Sequence, residues 1–345
     1  MPLARTRLLV LLLTGACCRA ADPQDLLSRI RSHLREYVTQ LPDYTCRVTL
    51  ERYSRRVGRI GLEFIDRLRL EVAYTEGNEL YSWPGDDRFE RGIEDLLPSH
   101  GLVSNGSYAL HMRTLFVRDV AEFAAPRESG GRIQLDYSVS AARSGYSMST
   151  GTSAAPAPLV GSVWLDAATL DLRQLEVRVE TRVAASRETT TYARGRIGEV
   201  EFVLPDSSEL VLIDRDGQQF INRARFGEYH RFAGSSSISY APAAAAAAEA
   251  PAHGASSGVL PSGQQITAAL DAAIGAEAAI GDPFTATTTK GEHAVGRVSD
   301  MQRAGNNWIV ELTLVKVGDQ RTHAVIRKTV KLPLAAGLKL VWKTT

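Results

Sequence analysis

Residues 68–83, LRLEVAYTEGNELYSW, decide the fold. Leu68, Leu70, Val72 and Tyr74 point to one side of an extended chain while Arg69 and Glu71 point to the other, the period of two that a one-faced strand requires. Gly77-Asn78 then turns the chain into Leu80-Tyr81-Ser82-Trp83, a returning strand. One apolar face and one polar face predict an antiparallel sheet packed on one side and solvated on the other.

Working outward, the same alternation marks Tyr44, Cys46, Val48 and Leu50, then Ile133 to Val139, Val163 to Leu165, Leu175 to Val179 and Val200 to Leu204. Asp216-Gly217 joins Val211-Leu212-Ile213 to Phe220-Ile221 as a hairpin. Upstream, Asp22-Pro23 supplies a helix cap acceptor followed by a proline already held at helical φ. Leu26, Leu27, Ile30, Leu34, Tyr37 and Leu41 follow at spacings of three and four, and Pro42 ends the helix, which is expected to lie on the sheet. Between Trp83 and Phe123 the spacing changes to helical. Phe89, Ile93, Leu96 and Leu97, and then Tyr108, Met112, Leu115 and Phe116, predict two short helices that cap the core or cover an apolar cavity.

Residues 235–258 collapse into Ser, Ala, Pro and Gly, the composition of a linker, and a smaller loop of the same kind runs from Ser147 to Pro158. Beyond the linker, five or six short alternating runs separated by turn signals predict a small β-barrel over 259–345; Trp308, Val310, Leu312 and Leu314 after Gly305-Asn306 are the clearest. The expected architecture is mainly β with minor α. A curved antiparallel half-barrel with an N-terminal helix and a helical insertion occupies 21–234, followed by a small β-barrel-like domain.

The first twenty residues have a basic start at Arg5 and Arg7, an apolar run Leu8–Leu13 and small residues up to Ala20, the pattern of a signal peptide and hence of export. Thr14-Gly15-Ala16-Cys17 is similar to the lipobox of lipoproteins, with Thr14 where a leucine is usual, so Cys17 or Cys18 is a candidate for lipidation. Removing this segment takes the formal charge from +1 to −2 and leaves Cys46 as the remaining cysteine, so no internal disulfide forms; its place on an apolar strand face suits a small buried hydrophobe. A near-neutral chain gives no footprint for nucleic acid, and no run reaches the ~20 apolar residues of a membrane-crossing helix.

Chemistry leaves few marks. No nucleophile elbow, phosphate loop or zinc-protease helix is present; His100 and His111 with Asp95 are a weak metal candidate, and Asp214-Arg215-Asp216-Gly217 reads better as a hairpin than as a calcium loop. Asn105-Gly106-Ser107 is a formal glycosylation sequon. Nothing calls for a cofactor, and the expectation is a non-enzymatic protein.

The order of elements, with Trp164-Leu165-Asp166-Ala167-Ala168-Thr169-Leu170 and Thr190-Thr191-Tyr192-Ala193-Arg194 leading to Phe202-Val203-Leu204-Pro205, resembles the lipoprotein-sorting carriers of the LolA and LolB kind. Tyr74 to Gly85, YTEGNELYSWPG, is similar to a group of exported bacterial proteins of that architecture. The resemblance spans Asp22 to about Phe232 and implies an unclosed barrel wrapped around an apolar cavity, covered by helices and holding acyl chains; a second domain and a long linker depart from it. It implies a periplasmic or outer-envelope protein that binds a lipid or lipidated partner; the C-terminal domain, outside the resemblance, is expected to dock to another envelope component. Leu68, Leu70, Val72, Tyr81, Trp83, Tyr108, Met112 and Phe116 are the candidate cavity residues, and they would serve a filled core equally well. A solid-core interaction module is the second reading and an exported hydrolase the third.

Overall fold

The alternation read from the sequence becomes very long strands. The structure, a computed structural model, describes residues 22–86, 88–90, 92–93, 96, 109–150, 153–232 and 258–345. Helix α1 (Pro23–Gln40) starts where expected: the Asp22 carboxylate accepts from the Gln24 N–H at 3.0 Å and Pro23 opens the first turn. It is followed by β1 (Tyr44–Arg55), β2 (Glu63–Thr75) and β3 (Asn78–Ser82), with Glu76 and Gly77 both at positive φ in the connecting turn. A short helix α2 (Leu110–Met112) runs into a π-helical turn, Arg113–Val117. Then come β4 (Glu122–Phe123), β5 (Arg127–Ser129), β6 (Arg132–Val139), α3 (Ala141–Ser144), β7 (Ser147–Thr150), β8 (Ser153–Pro156), β9 (Leu159–Asp166), β10 (Leu172–Glu180), β11 (Ala184–Ile197), β12 (Val200–Asp214) and β13 (Gln219–Arg231).

Eleven of these strands form one curved antiparallel sheet in the order β3-β2-β1-β13-β12-β11-β10-β9-β6-β4, with β5 also on β6. The β12–β13 connection is the expected hairpin: Asp214 Oδ1 accepts the N–H groups of Asp216 and Gln218 at 2.9 Å. At Gly161, on β9, a Cβ would stand 1.9 Å from the Glu176 carbonyl oxygen, so only glycine fits. The opposite Tyr137 fills the gap and donates to that carbonyl at 2.9 Å.

Two expectations are corrected. The Ser147–Pro158 stretch is not a plain loop: β7 and β8 pair as a small separate ladder, with Met148 of β7 buried in the cluster beneath α1. Over its described residues the first insertion helix is reduced to a single 3-10 turn at Ile93, whose carbonyl accepts the Leu96 N–H at 3.2 Å. Glu90 instead bridges Tyr81 of β3 through paired backbone hydrogen bonds, so Phe89 lies next to a strand pairing that the i, i+3 spacing of apolar residues could not reveal. The second is helical over 110–117, as expected. The signal segment, the sequon and the linker up to residue 257 lie outside the described residues.

From Gln265 the chain closes on itself. β14 (Gln265–Leu270), β15 (Pro283–Thr288), β16 (His293–Ala304), β17 (Asn307–Val317), β18 (Gln320–Val330) and β19 (Lys339–Thr344) form a six-stranded closed barrel, so every edge is paired. Trp342 fills its centre, fully buried, stacked on Phe284 at 6.2 Å and donating to the Leu312 carbonyl at 3.2 Å. The two parts differ in their cations: every lysine lies between Lys290 and Lys343, and the sheet carries arginine instead.

The barrel abuts the sheet along the edge of β2 that β3 is too short to cover. Ile280 pairs with Leu68 there, with Arg69 N–H to Ile280 C=O and Ile280 N–H to Arg67 C=O both 2.8 Å. Arg69 reaches the Asp282 carboxylate at 2.7 and 2.9 Å, Arg297 reaches Asp86 at 2.6 Å, and the Arg297 guanidinium lies 5.7 Å from the centre of the Trp83 ring. Gly281, at φ +98°, is essential to this seam, since a Cβ would meet the Arg69 carbonyl oxygen and the Trp83 ring at 2.4 Å.

Candidate functional site

Among the described residues the inner face of the sheet is covered by helix and turn, with Met148 of the small β7–β8 ladder packed into the same cluster. Ile30, Leu34 and Val38 of α1 are buried among Met112, Leu115, Phe116, Leu135, Val163, Leu175 and Tyr192, each buried aliphatic contributing about 1.5–3 kcal/mol. The cover is tied down by few polar contacts. Tyr37 donates to the Val203 carbonyl, Arg35 Nε to the Phe116 carbonyl at 3.0 Å, and Arg31 pairs with Asp119. Glu79 of β3 receives the Ala109 N–H at 3.1 Å, capping α2 from below. The π-helical turn that follows is a rare geometry frequent at functional sites, and it turns Leu115 and Phe116 inward, where Phe116 stacks on Phe123 at 5.2 Å.

Beyond the reach of α1, strands β1, β2, β12 and β13 line a narrow apolar space with Val48, Leu50, Leu70, Leu210, Ala224 and Phe226, beneath Ile93. Glu188, Ser208 and Asn222 supply its polar atoms. Its volume is about 30 Å³, the room of one water. Nearby, Arg52 and Asp66 form a buried ion pair, Arg52 Nε to Asp66 Oδ1 at 2.7 Å, which closes the far end of β1 and β2.

Of the residues singled out from the sequence, Leu70 lines this space. Leu68, Val72 and Tyr81 are buried in the same cluster, and Trp83 belongs to the seam with the barrel. Met112 and Phe116 lie in the other cluster, beneath α1. Tyr108 lies outside the described residues, as do His100 and Asp95. His111 is buried with its Nε2 3.9 Å from Glu188 and no hydrogen bond, and among the described residues no group of three or more His, Cys, Asp or Glu is placed to hold a metal. Ile93, read from the sequence as part of a cover, stands over this space, whereas sequence reasoning missed Glu188 and Asn222; a glutamate at an inward position of a strand is the signal that was available, since Thr190 and Tyr192 continue its face.

Burial sets the electrostatics of this half. It pushes the Cys46 thiol well up, with the nearby Glu79 adding to it, and does the same to the phenols of Tyr44, Tyr137 and Tyr192. Cys46 is thereby a buried, inert thiol, as its strand position indicated.

No family model and no curated protein matches this chain. Among solved structures it is similar to a LolA superfamily protein from Nitrosomonas europaea, at 10% identity and TM-score 0.27 over 59% of this chain and 91% of that one. It is also similar to a DUF1329 family protein from Desulfovibrio piger, at 11% identity and TM-score 0.30 over 63% of this chain and 96% of that one. These are faint likenesses of fold, and they say nothing of what this chain binds.

Proposed function

We propose that this chain is a non-enzymatic exported protein of the cell envelope, periplasmic or at the outer envelope, that takes an acyl chain, a lipid or a lipidated partner against the inner face of its sheet. The observation that supports this is the nature of the cover. A long apolar sheet face lies under α1 and a π-helical turn, elements that can shift without breaking a strand ladder. With about 30 Å³ open beside Leu70, the ligand enters by displacing the cover and the Ile93 side chain. Each methylene it buries returns about 0.8 kcal/mol, so a chain of ten offsets roughly 8 kcal/mol of displaced packing.

The test is organic extraction of the purified mature protein with mass spectrometry of the extract, joined to titration with a fluorescent fatty acid. Co-purified lipid and saturable binding competed by palmitate are expected. Neither lipid nor binding would sink the proposal and leave the second reading, an interaction module with a solid core, which the small volume beside Leu70 favours.

A further inference from the structure

On the face of the sheet away from α1, a hollow of about 740 Å³ opens over β6, β9, β10 and β11. Its floor follows from strand register. Trp164 stands opposite Gln174, and Gln174 opposite Thr191, so an indole, an amide and a hydroxyl lie in one row across three strands, about 10 Å from end to end. Val163 and Leu165 on either side of Trp164 point inward and are buried, which obliges Trp164 to face out. One step along, Arg132 stands opposite Asp166, and Asp166 is engaged by Arg173 at 3.1 Å. The register slips between Leu172 and Gln174, leaving Arg173 as the extra residue of a bulge, so that it and its neighbour Gln174 both line the hollow. The Gly130-Gly131 turn, both at positive φ, leaves one end open.

The chemistry is unusual for the solvated side of a sheet. A large aromatic half-exposed among polar side chains has no core to fill there, and among the described residues neither the Trp164 indole N–H nor the Gln174 amide has a hydrogen-bond partner. Arg132 likewise has no acidic partner, while the Arg173–Asp166 pair cancels itself, so the hollow carries one net positive charge. A flat apolar ring face, flanked by an amide and a hydroxyl at hydrogen-bonding reach, matches a pyranose: its axial C–H groups lie on the indole and its hydroxyls on the polar rim. The free guanidinium matches a carboxylate, which it grips with two parallel N–H bonds.

We infer that the outer face of the sheet at Trp164 is a binding site for an acidic saccharide, a chain of sugars bearing carboxylates. The indole stacks the ring, Gln174 reads hydroxyls, Thr191 Oγ1, already 2.8 Å from Ser207 Oγ, offers its remaining lone pair, and Arg132 takes the carboxylate. The site is independent of the acyl-binding reading, since it lies on the opposite face.

Calorimetric titration of the intact mature protein with tetragalacturonate, maltotetraose and inorganic phosphate tests it. Binding of the acidic tetramer with a Kd below about 1 mM is expected, at least tenfold tighter than that of the neutral one. Trp164→Ala is expected to remove binding of both, Arg132→Gln to bring the acidic affinity down to the neutral, and Gln174→Ala to weaken both severalfold should Trp164→Ala fail to fold. No binding of either sugar overturns the proposal. So does acidic binding that Trp164→Ala and Gln174→Ala leave unchanged, or phosphate displacing the tetramer stoichiometrically, which marks an anion site alone. Fatty-acid binding unaltered by Trp164→Ala keeps the two faces distinct.

Discussion

The sheet and the barrel are both antiparallel β, yet they solve the problem of a strand edge in opposite ways. The barrel's six strands close, its core is Trp342 stacked on Phe284 among aliphatics, and its buried polar residues are threonines. The sheet stays open, covers its inner face with a helix, and buries charge: Arg52 with Asp66, Glu79, Glu176 and Glu188. Closure lets a small unit stand on packing alone, whereas an open sheet must buy its cover elsewhere, here from α1 and, at β2, from Ile280 of the barrel.

Alkaline pH should break this contrast most deeply. In the sheet, Cys46, Tyr44, Tyr137 and Tyr192 are held protonated by burial, so their folded values lie above their unfolded ones. The stability they contribute is whole below the ordinary thiol and phenol values and is lost as pH rises past them, about 1.4 kcal/mol per group per pH unit. The barrel has neither tyrosine nor cysteine between residues 259 and 345. Methyl NMR across pH 8 to 12 is expected to show the sheet's resonances collapsing by several kcal/mol of lost stability, while those of the barrel stay dispersed. Loss of both sets at one pH would mean that the seam couples them into one unit.

Trp342→Ala attacks from the other side. Emptying the barrel's centre is expected to cost about 3–5 kcal/mol, seen in denaturant unfolding of the full chain as an earlier barrel transition with the sheet's near-UV tyrosine signal retained. The smallest effect belongs to the seam. Gly281→Ala forces a Cβ into the Arg69 carbonyl and Trp83, at roughly 1–3 kcal/mol. Hydrogen exchange at the Arg69 and Ile280 amides is expected to quicken tenfold or more; unchanged protection there would show that the contact is idle.

How much of this was legible depended on the range of the interaction. Strand faces such as Leu68, Leu70 and Val72, and turns such as Asp216-Gly217, are written in neighbouring residues, so the sheet and the barrel could be read directly. The seam could not, because Arg69 and Asp282 are 213 residues apart and an Arg on a polar strand face looks the same whether it meets water or a carboxylate. The π-helical turn carries no distinct periodicity. Trp164 was noticed as part of a family-like segment, but its meaning needs Gln174 and Thr191, which only cross-strand register brings beside it.

The confinement of lysine to the barrel gives the molecule two chemically separate halves. Guanidinium groups ignore the active esters that acylate primary amines. Apart from the α-amine, reagents of that kind therefore mark Lys290, Lys316, Lys328, Lys331, Lys339 and Lys343 and pass over the sheet. A sensor chip coupled through ε-amines holds the protein by its barrel and leaves the sheet free of attachment.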